Sequence, residues 1–180
     1  MKPKILKVFI IVIALLLIIR LLLHNSSIFY LKRPYLPFSL HLNKQDLVLV
    51  RGEEFRLFVY GINKRVSFSS SNFRVAGVNI FGKVTAYQPG KTFIKAKVDN
   101  KILKCRVRVI EINKNHISLN EGDTYRLRVK GIMAVPKWAS SNKEIAQVSG
   151  FGKVTAKTKG KTTITAEVKG KVVKCVVEVI

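Results

Sequence analysis

This chain repeats itself at a fixed offset of 70 residues without a gap, so its fold must be built twice from segments of about that length. Ser70-Ser71-Asn72 returns as Ser140-Ser141-Asn142, and Phe81-Gly82-Lys83-Val84-Thr85-Ala86 returns as Phe151-Gly152-Lys153-Val154-Thr155-Ala156. Gly90-Lys91-Thr92 returns as Gly160-Lys161-Thr162. From Leu40/Ile110 to Ile110/Ile180, about 32 of 71 aligned positions are identical. A copy this short lies near the lower size limit for folding without staples, so each is expected to bury one modest core.

Within each copy the hydrophobic pattern has a period of two. Cys105-Arg106-Val107-Arg108-Val109, Tyr125-Arg126-Leu127-Arg128-Val129 and Ile164-Thr165-Ala166-Glu167-Val168 alternate apolar and polar side chains. Such stretches read as half-buried strands. Gly52/Gly122 and Gly61/Gly131 bracket one strand, Ser71-Asn72 and Ser141-Asn142 end another, and Gly82/Gly152 sit inside a short hairpin. Asp99-Asn100 and Lys169-Gly170 read as two-residue hairpin turns. The pattern predicts about seven strands per copy, near 47–50, 54–60, 66–69, 75–79, 83–88, 92–98 and 101–109 in the first. No helical periodicity follows Leu23. Strands at this density indicate a β-sandwich.

Three motif groups together resemble the group 2 bacterial Ig-like (BIG2) domain. In the second copy they are Trp138-Ala139-Ser140-Ser141-Asn142 with Ile145-Ala146-Gln147-Val148, then Gly152–Ala156, then Gly160–Ala166. The first copy matches with Phe68 in place of Trp138, then Ser70–Asn72, Val75–Val78, Gly82–Ala86, Gly90–Thr92 and Ile94. The resemblance implies an all-β chain of two tandem immunoglobulin-like sandwiches, residues 40–110 and 111–180, on a bacterial surface. It implies neither one ligand nor catalysis.

The first 39 residues read differently. Ile5–Leu23 is apolar except for Lys7 and Arg20. As a helix it would span roughly 28 Å, against a hydrocarbon core of ~30 Å. The expectation for residues 1–23 is one transmembrane anchor, with Lys7 and Arg20 snorkelling at its ends. The alternative is a cleaved signal peptide and secretion, although Leu21-Leu22-Leu23-His24-Asn25 lacks a small-residue cleavage site. Residues 24–39 carry Phe29, Tyr30, Lys32, Arg33, Tyr35 and Phe38 with Pro34 and Pro37, as expected of a stiff membrane-proximal spacer. Charge at the two flanks nearly cancels, so the family resemblance decides orientation: single-pass, modules outside. The chain is expected to end at Ile180 without a sortase motif or catalytic domain.

The net charge is +23: +6 before residue 40, +10 in the first copy and +7 in the second. That suggests an anionic partner, or else lysine-rich usage that merely solvates the surface. The expected partners are the membrane through Ile5–Leu23 and an anionic cell-wall polymer, glycan or another surface protein. Nucleic acid fits the charge but not the family. His24, His41 and His116 are scattered, and the ten acids form no calcium loop, so no metal or cofactor is expected. No nucleophile–base–acid set occurs, and the chain is not expected to be an enzyme. Alternation points Cys105 and Cys175 into separate cores as free thiols. Phe68 and Trp138 are likewise expected in the cores. What both copies keep is therefore assigned to cores and turns.

The copies differ on one face. A two-residue turn at Asp99-Asn100 pairs residue 95 with 104 and 93 with 106. The outward row is then Lys91, Phe93, Lys95, Lys97, Lys104, Arg106 and Arg108. Its second-copy counterpart is Lys161, Thr163, Thr165, Glu167, Lys174, Val176 and Glu178. Six cations around one aromatic ring form the candidate anionic-ligand face. The function expected is a surface binding or adhesion module. The alternative is a structural spacer or accessory subunit of a membrane or wall complex.

Overall fold

Strands account for nearly all the order in the computed structural model, which describes Ile13, Leu15, residues 39–61 and residues 65–180. Ile13 and Leu15 are helical and exposed. The rest of the expected anchor, and all of the spacer except Ser39, lie outside the described residues. Among the described residues no helix is long and apolar enough to cross a membrane.

The described residues from His41 onward form seventeen strands. In the first half these are β1 (His41–Leu42), β2 (Asp46–Val50), β3 (Glu54–Arg56), β4 (Val59–Tyr60), β5 (Ser67–Ser70), β6 (Ala76–Val78), β7 (Lys83–Ala86), β8 (Gly90–Val98) and β9 (Lys101–Ile112). The second half adds β10 (His116–Leu119), β11 (Thr124–Arg126), β12 (Val129–Lys130), β13 (Lys137–Ser140), β14 (Ala146–Val148), β15 (Lys153–Ala156), β16 (Gly160–Val168) and β17 (Lys171–Val179). One sheet of the first half runs β2-β9-β8-β5, with β2 parallel to β9 and the other neighbours antiparallel. A three-stranded sheet, β3-β7-β6, is the other layer. The second half repeats the plan as β10-β17-β16-β13 and β11-β15-β14.

Each half closes on its own core. Leu49, Leu57, Val84, Ile94, Cys105 and Val107 belong to the first. Leu127, Val154, Ile164, Cys175 and Val177 belong to the second. The alternation of β8 explains its share: Thr92, Ile94, Ala96 and Val98 are buried while Lys91, Phe93, Lys95 and Lys97 are exposed. The recurring Ser-Ser-Asn and Gly-Lys-Thr motifs have a structural task. The Ser70 hydroxyl donates to Ala76 O at 2.6 Å, and buried Thr92 Oγ1 accepts from Asn72 N at 2.9 Å. Ser140 and Thr162 repeat both bonds at 2.7 and 3.0 Å. The hydroxyls thus satisfy backbone groups where β5 and β13 end, groups that would be costly to bury unpaired.

Two details depart from the sequence expectation. The predicted strand 54–60 is broken at Leu57-Phe58 because it changes partners. Leu57 N–H donates to Gly82 O at 2.8 Å, and Phe58 N–H donates to Asn43 Oδ1 at 3.0 Å. β3 therefore pairs with β7, whereas β4 pairs with β1. The predicted strand 101–109 continues to Ile112, and its face switches on the way. Cys105, Val107 and Val109 fill the first core, but Ile110 and Ile112 fill the second. One strand thus serves both halves, and β12 pairs with its end at Ile112 and Glu111.

The junction has further ties. Val48 and Val50, on the outer side of β2, pack against the second core. Arg51 bonds Glu111 at 2.8 Å, and Lys171 bonds Glu53 at 2.6 Å. Burial raises the Glu53 pKa, but the Lys171 ammonium and the Val50 N–H outweigh it and hold the carboxyl below its ordinary value.

Cys105 and Cys175 are free and buried, one in each core. Burial pushes each thiol up to about 11, with the Asp46 carboxylate adding to the effect at Cys105. Both stay protonated well above neutral pH, and the thiolate is the reactive form. Neither should react with a disulfide reagent at about pH 8 in the folded chain, and both should react in concentrated guanidinium. Native labelling of either thiol would contradict this burial.

Candidate functional site

The candidate face lies on the four-stranded sheet of the first half. The observed register pairs Lys95 with Lys104, Phe93 with Arg106 and Lys91 with Arg108, as the turn length predicted. Asp99 takes a φ of +50° in that turn. Ser67 and Ser69 of β5 flank Lys97 and Lys95. Phe93 is 38% exposed in the middle of the row. Ile102, opposite Lys97, is exposed there as well.

The two arginines, however, are not free cations. β2 runs parallel beside β9 and sets Asp46 opposite Arg106. The Asp46 carboxylate accepts from Arg106 Nη2 through one oxygen, and from Arg108 Nη2 at 2.5 Å through the other. The Arg106 hydrogen bond, with help from Arg108, holds the Asp46 carboxyl below its usual range. Asp46 in turn raises the Arg106 pKa. The Arg108 side chain is only 21% exposed. Sequence reasoning missed this because Asp46 lies 60 residues from Arg106, and only the parallel pairing of β2 with β9 brings them together. The face available to an anion is therefore Lys91, Lys95, Lys97 and Lys104 around Phe93.

Two of the residues shared by both halves stand on turns and face solvent. Phe81 and Phe151 are identical in both halves, yet they are 67% and 77% exposed. Each stands on a turn between two strands of the three-stranded sheet, beside a groove. In the first half the groove is lined by Glu54, Phe55, Arg56, Asn79, Phe81 and Lys83. In the second it is lined by Thr124, Tyr125, Arg126, Ser149, Phe151 and Lys153. Trp138 is only partly buried: it packs against the second core and also lines an adjoining concavity.

The first half is the more apolar on its surface. Phe58, Tyr60, Phe73, Ile80 and Tyr87 are exposed, where the second half has Arg128, Lys130, Lys143, Gly150 and Lys157. Phe58 and Tyr60 meet edge-on with centroids 4.8 Å apart, and Tyr60 stacks on His41 at 5.0 Å. Among the described residues no three His, Cys, Asp or Glu side chains converge to hold a metal ion.

Comparison with known proteins bears on the second half directly. Residues 106–177 match the model of the bacterial Ig-like domain (group 2). The matched segment starts within β9 and ends within β17, so it takes in every sheet of the second half. No curated protein sequence matches the chain. Among solved structures, the surface layer protein SbsC (domains 1–6) matches over 64% of this chain and 20% of its own, at 25% identity and a TM-score of 0.35. A C-terminal fragment of intimin, solved with the intimin-binding domain of its translocated receptor, matches over 78% and 62%, at 19% identity and a TM-score of 0.46. Human protocadherin-24 (EC1-2) matches over 79% and 98%, at 11% identity and a TM-score of 0.33. The chain thus spans a fifth of the first structure and under two thirds of the second. The fold is all-β and Ig-like.

Proposed function

We propose that the chain is a bacterial surface protein of two tandem Ig-like domains, residues 40–110 and 111–180. Ile5–Leu23 anchors it in the membrane, and it works as a binding or adhesion module for an anionic cell-wall polymer or glycan. The observation that carries the ligand class is the first-half face, where four lysines surround an exposed Phe93 and, among the described residues, only the two arginines are claimed by a carboxylate. The equivalent row of the second half contains Glu167 and Glu178, and Glu178 bonds Lys161 at 3.0 Å. The bacterial Ig-like match supports a surface role, and the run Val8–Ile19 supports the anchor.

A quadruple Lys91→Glu, Lys95→Glu, Lys97→Glu, Lys104→Glu variant of the full chain tests the face. Its retention on immobilised poly(glycerol phosphate) should fall more than about tenfold relative to wild type, and wild-type retention should weaken with added salt. Unchanged retention rejects the face.

The exposed Phe73, Tyr87 and Phe58 favour a second reading, that of an accessory subunit docked on another membrane or wall protein through the first half. Loss of a co-purifying membrane protein on Phe73→Lys and Tyr87→Lys, in a chain that does not hold polymer, would establish that reading instead.

A further inference from the structure

The second half contains a concave site that the function proposed above does not use. Two concavities of about 450 and 510 Å³ share Arg126 and Phe151. Both fall within the size range of small-ligand clefts. Tyr125 and Lys153 line one of them, and Arg128 and Trp138 the other. No carboxylate lines either. None of Arg126, Arg128 and Lys153 forms an ion pair among the described residues.

The backbone beneath these side chains is fixed from several directions. Ser149 Oγ accepts from Phe151 N at 3.4 Å and from Lys153 N at 3.1 Å, and Ser149 O accepts from Gly152 N at 3.0 Å. Asn113 holds the neighbouring segment: its Nδ2 donates to Arg126 O at 3.2 Å, and its Oδ1 accepts from Arg128 N at 2.8 Å. Gly152 lets the Trp138 ring lie against the turn, because a Cβ there would meet the indole at 2.8 Å. Phe151, 77% exposed, therefore projects from a braced turn, which limits the ordering cost of binding.

The first half supplies an internal contrast. There Glu54 replaces Thr124, bonds Lys83 at 2.7 Å and accepts from Thr85 Oγ1. Phe58 and Phe68 take the places of Arg128 and Trp138. That groove, about 390 Å³, has its lysine neutralised. The second-half groove has kept cations, hydroxyls and aromatic rings without a competing acid.

We infer that this groove binds a segment of acidic glycan, with sugar rings lying on Phe151 and Trp138 and a carboxylate or phosphate group received by Arg126, Arg128 and Lys153. Aromatic faces suit the C–H face of a sugar ring, and the guanidinium fork matches a planar anion in two hydrogen bonds. The inference shares its ligand class with the proposed function but not its residues.

Isothermal titration of the full-length chain in detergent with polygalacturonate tests it, with neutral dextran and polyphosphate as comparison polymers. Arg126→Ala, Phe151→Ala and Thr124→Glu should each weaken polygalacturonate binding about tenfold. Thr124→Glu copies the acid that the first half carries at this position, so it is compatible with the fold and should capture Lys153. Lys95→Glu/Lys97→Glu reports the first-half face separately. Loss confined to Lys95→Glu/Lys97→Glu overturns the groove and leaves the face standing, whereas loss confined to the three groove variants does the reverse. Equal binding of polyphosphate, with Phe151→Ala harmless, also overturns the glycan assignment. No binding of polygalacturonate rejects the groove and leaves the first-half face to its own test on poly(glycerol phosphate).

Discussion

Leu127→Ala is expected to cost roughly 2–5 kcal/mol of unfolding free energy, the range for a buried leucine cut back to alanine. Leu127 is fully buried, and it sits at the break between β11 and β12 where the backbone leaves one sheet for another pairing. Its N–H donates to Gly152 O at 2.8 Å, so the backbone is held in place while the side chain disappears. Such a site collapses poorly and keeps its cavity. A half of about 70 residues holds only some 3–10 kcal/mol, so this loss is a large fraction of the total. Trp138 is the sole tryptophan and packs against the second core, so its fluorescence in a urea titration reports that half. Leu57→Ala is the matched change in the first half, with the same burial and the same bond to Gly82 O. Because β9 feeds both cores and Val48 and Val50 pack on the second, Leu57→Ala should also shift the Trp138 transition, by a smaller amount. A Trp138 midpoint indifferent to Leu57→Ala would mean that the halves unfold independently.

What was legible beforehand follows from what strand periodicity encodes. Alternation assigns each side chain to one face, and a two-residue turn sets the register of the adjoining strands. That is why the pairing of Phe93 with Arg106, and the separate burial of Cys105 and Cys175, could be read directly. Alternation says nothing about when a strand changes partner. Hence Leu57-Phe58 looked like the interior of one strand, and Val109-Ile110 like its end, although in β9 two adjacent buried residues mark the passage from one core to the other. Contacts across distant pairings were equally hidden. Asp46 meets Arg106 only because β2 lies parallel to β9, and Phe151 lines the same groove as Arg126 only because β15, which follows its turn, pairs with β11. Phe81 and Phe151 each precede a turn glycine, where a core side chain is not required, and their exposure follows from standing on that turn.

Gly131→Ala should be the most disruptive single-methyl change at the junction. Gly131 takes a φ of +89°, and a Cβ there would lie 1.9 Å from Val109 O and 2.9 Å from Gly90 N. Both contacts are backbone of the first half, so no side-chain rotation relieves them. The left-handed conformation alone costs an alanine about 1–2 kcal/mol. Gly122 measures that part by itself, having a φ of +84° and nothing within 4 Å of the point where a Cβ would stand. Gly122→Ala should therefore cost about 1–2 kcal/mol, and Gly131→Ala at least ~3 kcal/mol, the excess coming from the forced separation of β12 from Val109. Hydrogen exchange locates the damage. Amides of Ile110–Ile112 should lose protection in Gly131→Ala, while those of Ile94 and Ile164, deep in the two cores, should keep it near the level of Gly122→Ala. Equal costs for the two alanines, or protection lost evenly through both cores, would show that Gly131 does not hold the halves together. A selective loss along the end of β9 would instead identify this glycine as the residue that lets the second half seat against the first.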